Sequence, residues 1–518
     1  MHYAKNPILP GFRPDPSICR VEEDYYIVTS SFAYFPGVPI YHSRDLAHWE
    51  QIGHVLTRKS QLPLEGCGHS EGIFAPVLRY HKGTFYMITT NISGGGNFIV
   101  TAKRPEGPWS DPYYLGDAAK GIDPSLYFEE DVDGNTHCYY IGTRPNSDGV
   151  NYNGDWEIWM EELDLKEMQL KGYGKKVWKG AMNGVIWPEG PHLYKIGSFY
   201  YIMHAEGGTG PDHCVSIARS ENLWGPYVGN PDNPILTHRH LGSRYPVMAV
   251  GHGDLVDDGF GNWYMVMLAS RKCEGYVNTG RDTFLAKVVW EDGWPVVNPG
   301  IGRLEDVVEL AGEASYTIPQ SHVYHFFREK LPNAFMMLRN PDERAFSLSA
   351  REGYLRLYTL PQTLQQKANP AYVGLRQQDY FYQVSTVMEF APEGQEEAGL
   401  SILCGDGWHL RFIKRLSRNK EELYLISCKN GMEEILAHEE VQNGRIELKV
   451  VNRGQRADFY YQQNEGGLRL LAEKIDVHEF STECSGGFTG CTIGMYASAN
   501  GIRQENFADF AMFSYERL

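Results

Sequence analysis

Three acids are the first residues in this chain that could do chemistry. Asp15 in FRPDPSIC and Asp123 in GIDPSLYF carry the same Asp-Pro-Ser tripeptide, and Glu189 in WPEGPHLYK is a third acid beside a proline. Each runs directly into an apolar, aromatic-rich segment of β type. A single Asp-Pro-Ser is an ordinary turn or cap. Two copies, with an acid at the matching place of a third segment, predict carboxyl groups that converge on one cavity. Carboxyl groups so crowded cannot all ionise cheaply, and their pKa values are driven apart.

Separated protonation states are what general acid/base catalysis uses. In a neutral, aromatic-lined pocket the matching reaction is glycoside hydrolysis: one carboxylic acid protonates the leaving oxygen, while a carboxylate across the ring attacks or activates water. Residues so distant in sequence need a fold that brings them together. Five segments share one pattern: DPSICRVEEDYYIVTSS from Asp15, APVLRYHKGTFYMITTN from Ala75, DPSLYFEEDVDGNTHCYYIGT from Asp123, PEGPHLYKIGSFYYIMHAE from Pro188 and HGDLVDDGFGNWYMVMLAS from His252. Each has a Pro-, Gly- or acid-flanked start, a short apolar strand, a polar turn and an aromatic-rich strand. Further strands follow, as in AKRPEGPW and its echo ARSENLWGPY. About four strands per unit is the blade of a β-propeller, and five units make a ring whose inner strands line one axis. A generic run of hairpins in a sandwich is the alternative.

Composition limits the partners. With 518 residues the chain is too long for one ordinary core, and two or three domains are expected. The 48 Lys and Arg against 65 Asp and Glu give a net charge of -17, which repels nucleic acid and anionic membranes and favours a neutral partner. No apolar run approaches a membrane span, and MHYAKNPILPGF has no apolar leader region, so a cytoplasmic location is expected. The nine cysteines are an odd number with no C-x-x-C spacing and read as reduced, buried thiols.

Taken in order, FRPDPSI, SSFAYFPGVPIYHSRDLAHW, GIDPSLYF, WPEGPHLYK, HAEGGTG, GHGDL and GRDTFL resemble glycoside hydrolase family 43, in particular its two-domain β-xylosidase and α-L-arabinofuranosidase members. The resemblance covers almost the whole chain. It implies an all-β protein, with a five-bladed β-propeller (residues 1–310) followed by a C-terminal β-sandwich (residues 320–518), and an inverting single-displacement mechanism. By this likeness Asp15 is the general base, Glu189 the general acid, and Asp123 the group that raises and orients the acid. Arg281 of GRDTFL bonds the sugar hydroxyls, and Phe32 and Phe74 are apolar walls. His252 lies near the axis, under the sugar or beside an axial ion, a hydrogen-bonded core histidine being the other reading. Glu206 of HAEGGTG is a fourth acid with a structural or substrate hydrogen bond. Family members usually carry Glu where Asp282 stands, and often Trp or Tyr where Phe74 stands.

The C-terminal part changes rhythm. GWPVVNPG ends the propeller, ELAGEASYTIPQ reads as a linker, and from about residue 320 a period-two alternation such as Arg445-Ile446-Glu447-Leu448-Lys449-Val450 predicts half-buried antiparallel sheets. The resemblance makes this sandwich a cap, with Phe488 of GGFTGC on the closing loop. A capped pocket accepts a chain end, so exo release of one pentose, β-1,4-xylose or α-L-arabinofuranose, from short xylo- or arabinoxylo-oligosaccharides is expected. The alternatives are an enzyme that is mainly an α-L-arabinofuranosidase, a retaining β-fructosidase-like hydrolase, and a non-catalytic sugar-binding propeller. RPDPS lacks the Trp-x-Asn-Asp-Pro context of the fructosidases, and the binding propeller requires an acid to be replaced. No metal-ligand set is assigned: His238 and His240 in THRHLG find no third ligand nearby. No cofactor is required; the likeness allows a structural Ca2+ in the propeller axis. The expected partner is a neutral oligosaccharide, with no nucleic acid or membrane, and a homo-oligomer is compatible.

Overall fold

The computed structural model describes residues 2–312, 323–463, 466–503 and 505–518. From Ser17 to Val297 the chain folds into five separate antiparallel sheets of four or five strands, formed one after another. Their first strands are Ser17–Val21, Ile73–His81, Ile122–Glu130, Glu189–Ile196 and Val247–Asp257. Each packs against the next, and the fifth packs back against the first, which closes the ring. Strand His2–Lys5 pairs with Val307–Leu310, so both ends of this domain are joined.

The second Asp-Pro-Ser lies in a bulge, and the first stands at the very start of its strand. Pairing in the third inner strand skips from Ile122 to Ser125, in the fourth from Glu189 to His192, in the second from Phe74 to Val77, and in the fifth from Gly251 to Asp254. A proline has no N–H for the ladder, and Pro124, Pro191 and Pro76 stand in the skipped pairs, where none is needed. In four of the five strands the residue before the proline, or its equivalent, turns left-handed: Asp15, Asp123, Gly190 and His252 have φ of 55°, 53°, 56° and 52°. For the three residues with side chains this conformation costs about 1–2 kcal/mol each. It turns those side chains out of the sheet and into the axial cleft. One expectation is corrected here. The matching place in the fourth repeat is held by Gly190, and Glu189 stands one residue earlier.

Below the acids the axis is filled by a polar network. Asp254 accepts from Ser17 Oγ (2.8 Å), Arg79 Nη1 (3.0 Å) and Tyr194 Oη (2.6 Å), and Arg79 Nη2 donates to His192 Nδ1 (2.8 Å). Four of the five inner strands meet in it. Asp254 is fully buried, and although burial alone would raise its pKa, the Arg79 guanidinium brings it down to about 2. Asp254→Ala leaves a buried, uncompensated arginine and is expected to destabilise the fold by roughly 3–5 kcal/mol. Urea unfolding monitored by tryptophan fluorescence measures this.

The remaining strands form the sandwich, an eight-stranded sheet facing a six-stranded one. Its core takes alternate residues from both, including Ile446, Leu448 and Val450 from one sheet and Leu400, Leu410 and Phe412 from the other. Val323–His325, at its start, pairs with the last strand, Phe507–Arg517. The expected linker lies largely outside the described residues. The outer face of the six-stranded sheet is also apolar: Tyr372, Leu403, Ile413, Tyr424, Ile426 and Tyr496 pack with Phe12, Phe32 and Tyr34 of the propeller. Strand Met337–Leu338 pairs with Tyr34–Phe35 across the same boundary. All nine cysteines are free, seven of them buried. Among the described residues no helix is long and apolar enough to cross a membrane.

Candidate active site

The starts of the inner strands bring Asp15, Asp123 and Glu189 together, close enough for each to act electrostatically on the next. Asp15 accepts from Ser30 Oγ at 2.6 Å and from Arg281 Nη1 at 2.9 Å, and His252 Nδ1 stands 3.8 Å from its Oδ1. Burial works to raise its pKa, but Arg281, His252 and Ser30 together outweigh it and hold the carboxyl below its ordinary value. Asp123 is lifted by burial to about 6; His252 and the Gly190 N–H favour its charge, and the negative charge of Asp15 opposes it. Glu189 is pushed well above the carboxylate range, by burial first and then by the charges of Asp123 and Asp15. Of the three carboxyls, Asp15 is thus the one held toward its ionised form and Glu189 the one held toward its protonated form.

Several buried polar atoms here have no partner among the described residues: Glu189 Oε1, Arg281 Nε and His213 Nε2. Arg281 Nη2 reaches only the Phe488 carbonyl, at 3.5 Å. Folded proteins rarely leave such groups unsatisfied, and those left mark places where something else bonds. The apolar side of the cleft is a box of three rings. Phe32 lies 5.4 Å from Phe74 and 6.3 Å from Phe488 between centroids, and Phe74 lies 5.9 Å from Phe488, edge to face. Phe488 comes from the sandwich, and its N–H donates to Ser70 Oγ of the propeller at 2.9 Å. Beyond Phe74 and Phe488 a cleft of about 620 Å3 opens to solvent between Ser70 and Glu71 on one side and Trp408 and Asn430 on the other. Aromatic walls with a few convergent hydrogen-bonding groups, beside a carboxylate and a carboxylic acid, suit a neutral polyol ring.

A profile of glycosyl hydrolases family 43 matches residues 4–295 of this chain, and one of the β-xylosidase C-terminal concanavalin A-like domain matches residues 323–516. The chain belongs to glycoside hydrolase family 43. This family-43 enzyme is 51% identical to a xylosidase/arabinosidase of Butyrivibrio fibrisolvens, with 100% of both chains covered. It is 38% identical to the non-reducing end α-L-arabinofuranosidase BoGH43B of Bacteroides ovatus, over 99% of this chain and 95% of that one. The crystal structure of a xylan β-1,4-xylosidase from Bacillus halodurans superposes with a TM-score of 0.91 at 35% identity, over 99% of this chain and 100% of that one.

Other residues of the family-43 enzyme hold the cleft in shape. Asp282 does not support Arg281 directly. Its carboxylate is bidentate with Arg271, at 2.9 Å on each oxygen, and accepts from the Gly11 N–H at 2.6 Å. The shorter acid thus ties the fifth blade to the N-terminal segment, and Arg271 Nη2 continues to the Gln378 carbonyl of the sandwich at 2.8 Å. Glu206 is fully buried, bonded to His204 and to the Ala181 N–H, a structural placement. His238 uses both ring nitrogens, on the Val247 carbonyl and the Leu304 N–H, which leaves neither for a metal.

Two neighbours of the acids carry little signal in the sequence. Ser30 sits in an ordinary Thr-Ser-Ser run and had no signal. His213 is buried, with Nδ1 on the Ala249 carbonyl at 3.0 Å and Nε2 3.8 Å from Glu189 Oε1. Burial lowers its pKa to about 4, so a neutral ring faces the acid. The signal for it was Gly251 in GHGD, where a Cβ would fall 2.3 Å from the His213 ring. A glycine beside a strand-borne histidine marks a close approach.

Proposed function

We propose that this family-43 enzyme removes a single pentose from the non-reducing end of xylo- or arabinoxylo-oligosaccharides with inversion at the anomeric carbon. The observation that carries this reading is the placement of Asp15, paired with Arg281, and of the buried, unpartnered Glu189 beside one box of aromatic rings, with their pKa values pushed in opposite directions. Asp15 takes a proton from water as the oxygen attacks C1, and Glu189 gives its proton to the glycosidic oxygen on the other side of the ring. The C1–O bond to the leaving sugar breaks, Glu189 is left ionised and Asp15 protonated, and exchange with solvent restores both. Asp123 acts through Glu189. Arg281, with a donor to spare, holds sugar hydroxyls, and Phe32, Phe74 and Phe488 meet the C–H face. Because Phe488 closes the box from the second domain, a chain end fits and an internal residue does not; the rest of the oligosaccharide leaves through the cleft beside Trp408.

The xylosidase and arabinosidase names of the relatives support a pentose at the closed end. A mainly α-L-arabinofuranosidase enzyme is the second reading, and the likeness to the non-reducing end α-L-arabinofuranosidase of Bacteroides ovatus favours it. Side-by-side hydrolysis of p-nitrophenyl β-D-xylopyranoside and α-L-arabinofuranoside separates the two, and release from neither defeats both. Proton NMR of the first xylose from a β-xyloside is expected to show the α anomer. A first-formed β anomer means retention, and the single displacement fails.

No step is routed through a metal. In the axis the Asp254 carboxylate is taken by Arg79, Ser17 and Tyr194.

The pH profile tests the role of Asp123. The alkaline limb of kcat/KM reports ionisation of the acid, and a neighbouring negative charge raises that pKa. Removing the charge lowers it, so Asp123→Asn is expected to move the alkaline limb to lower pH besides slowing turnover. A limb that stays in place assigns Asp123 some other task.

A further inference from the structure

Three adjacent strands of the six-stranded sheet place His409, Cys428 and Glu433 in one row, His409 opposite Cys428 and Cys428 opposite Glu433. They stand on the sheet face away from the sandwich core, which takes Leu410, Phe412, Leu423 and Leu425 instead. One ligand atom from each, an imidazole nitrogen, a thiol sulfur and a carboxylate oxygen, lies within 4.8 Å of the other two. His409 is 1% exposed, yet neither of its ring nitrogens has a hydrogen-bond partner among the described residues. A buried imidazole with two idle nitrogens is unusual, and here it adjoins a thiol and a carboxylate.

We propose that His409, Cys428 and Glu433 form a zinc site in the sandwich, apart from the sugar cleft. The donor set selects the ion: thiolate sulfur with imidazole nitrogen suits Zn2+, whereas Ca2+ and Mg2+ take oxygen. Ligand bonds of about 2.0–2.3 Å need ligand atoms roughly 3.5 Å apart, so small side-chain rotations close the site. Gln365 Nε2 donates to Cys428 Sγ at 3.4 Å and to Glu433 Oε1 at 2.7 Å. A half-turn of that amide presents its oxygen to the same centre as a fourth ligand. Charge balances as well. Arg411 bonds both Glu397 and Glu433; with Arg411 neutralised by Glu397, the dication faces one thiolate and one carboxylate. Coordination displaces the Cys428 proton to solvent.

A cleft of about 630 Å3, lined by Gln365, Glu397, Arg411, Gly431 and Glu433, leads in from solvent. The Cys428 thiol donates to the Gly407 carbonyl at 3.5 Å. Next to these ligands, Trp408 and Asn430 form the sandwich wall of the substrate cleft. The ion braces that wall from behind, by joining three strands to the loop of Gln365.

The test uses the untagged full-length chain, stripped with chelator and dialysed, then titrated with Zn2+ and separately with Co2+. One ion per chain is expected, with a near-ultraviolet thiolate-to-cobalt charge-transfer band and a raised Tm. Cys428→Ser is expected to remove the band, and it and Glu433→Gln to weaken Zn2+ binding by roughly 10–100-fold. Glu433 is exposed, so its variant reports binding even if Cys428→Ser folds poorly. A wild-type chain that retains no Zn2+ in dialysis overturns the site. So does a cobalt band unchanged in Cys428→Ser, or binding unchanged in Glu433→Gln. None of these readings depends on which sugar the enzyme hydrolyses.

Discussion

Asp15→Ala is expected to lose turnover by on the order of 10^4-fold on every substrate, while Glu189→Ala loses comparably on xylobiose and little on substrates with very good leaving groups. The contrast follows from what each proton does. Water must be activated whatever leaves, so no leaving group substitutes for a missing base. Protonation of the glycosidic oxygen matters in proportion to how basic the departing alkoxide is, and a dinitrophenolate needs almost none. Asp15 also pairs with Arg281, so its loss leaves that guanidinium freer to move; Asp15→Asn keeps the shape and is expected to be just as inactive. Steady-state kinetics of the variants on dinitrophenyl xyloside and on xylobiose make the comparison. Equal losses on both substrates for both variants would leave the acid and base roles unsupported.

Deleting residues 320–518 is expected to abolish activity and soluble expression together. Phe12, Phe32 and Tyr34 of the propeller are buried almost completely, in the cluster they share with the sandwich. Exposing three such side chains costs about 1.5–3 kcal/mol each, a sum comparable with the roughly 5–15 kcal/mol that holds a domain folded. The Arg376 bond to the Phe12 carbonyl, 2.8 Å long, is lost too, and so is Phe488 at the cleft. Expression and size-exclusion chromatography of residues 1–319 check the first part, and hydrolysis of nitrophenyl pentosides the second. A soluble, fully active truncate would remove the sandwich from the argument about exo action.

The sequence carried the parts of this protein that depend on local rules. Repeating strand pairs with turn residues between them are a chain-local pattern, and so is the period-two alternation of Arg445 to Val450; both announce their sheets without knowledge of distant residues. Asp-Pro-Ser was legible for a related reason: a proline in a strand must sit where no ladder bond is made, and an acid before it is aimed by the resulting bulge.

What tertiary structure decided is everything that needs two blades, or two domains, at once. The register of the fourth blade put Gly190, not Glu189, at the left-handed position. Asp282 proved to serve Arg271, not Arg281, because strand neighbours point to opposite faces of a sheet. Ser30 meets Asp15 across the first hairpin and His213 meets Glu189 across the fourth sheet, while the Asp254–Arg79 pair spans two blades, and each contact is made only when strands assemble. The protonation of Asp15 and Glu189 belongs to the assembled cleft alone: desolvation and charge act through space, and their balance exists only once Arg281, His252 and the three carboxyls have been buried together.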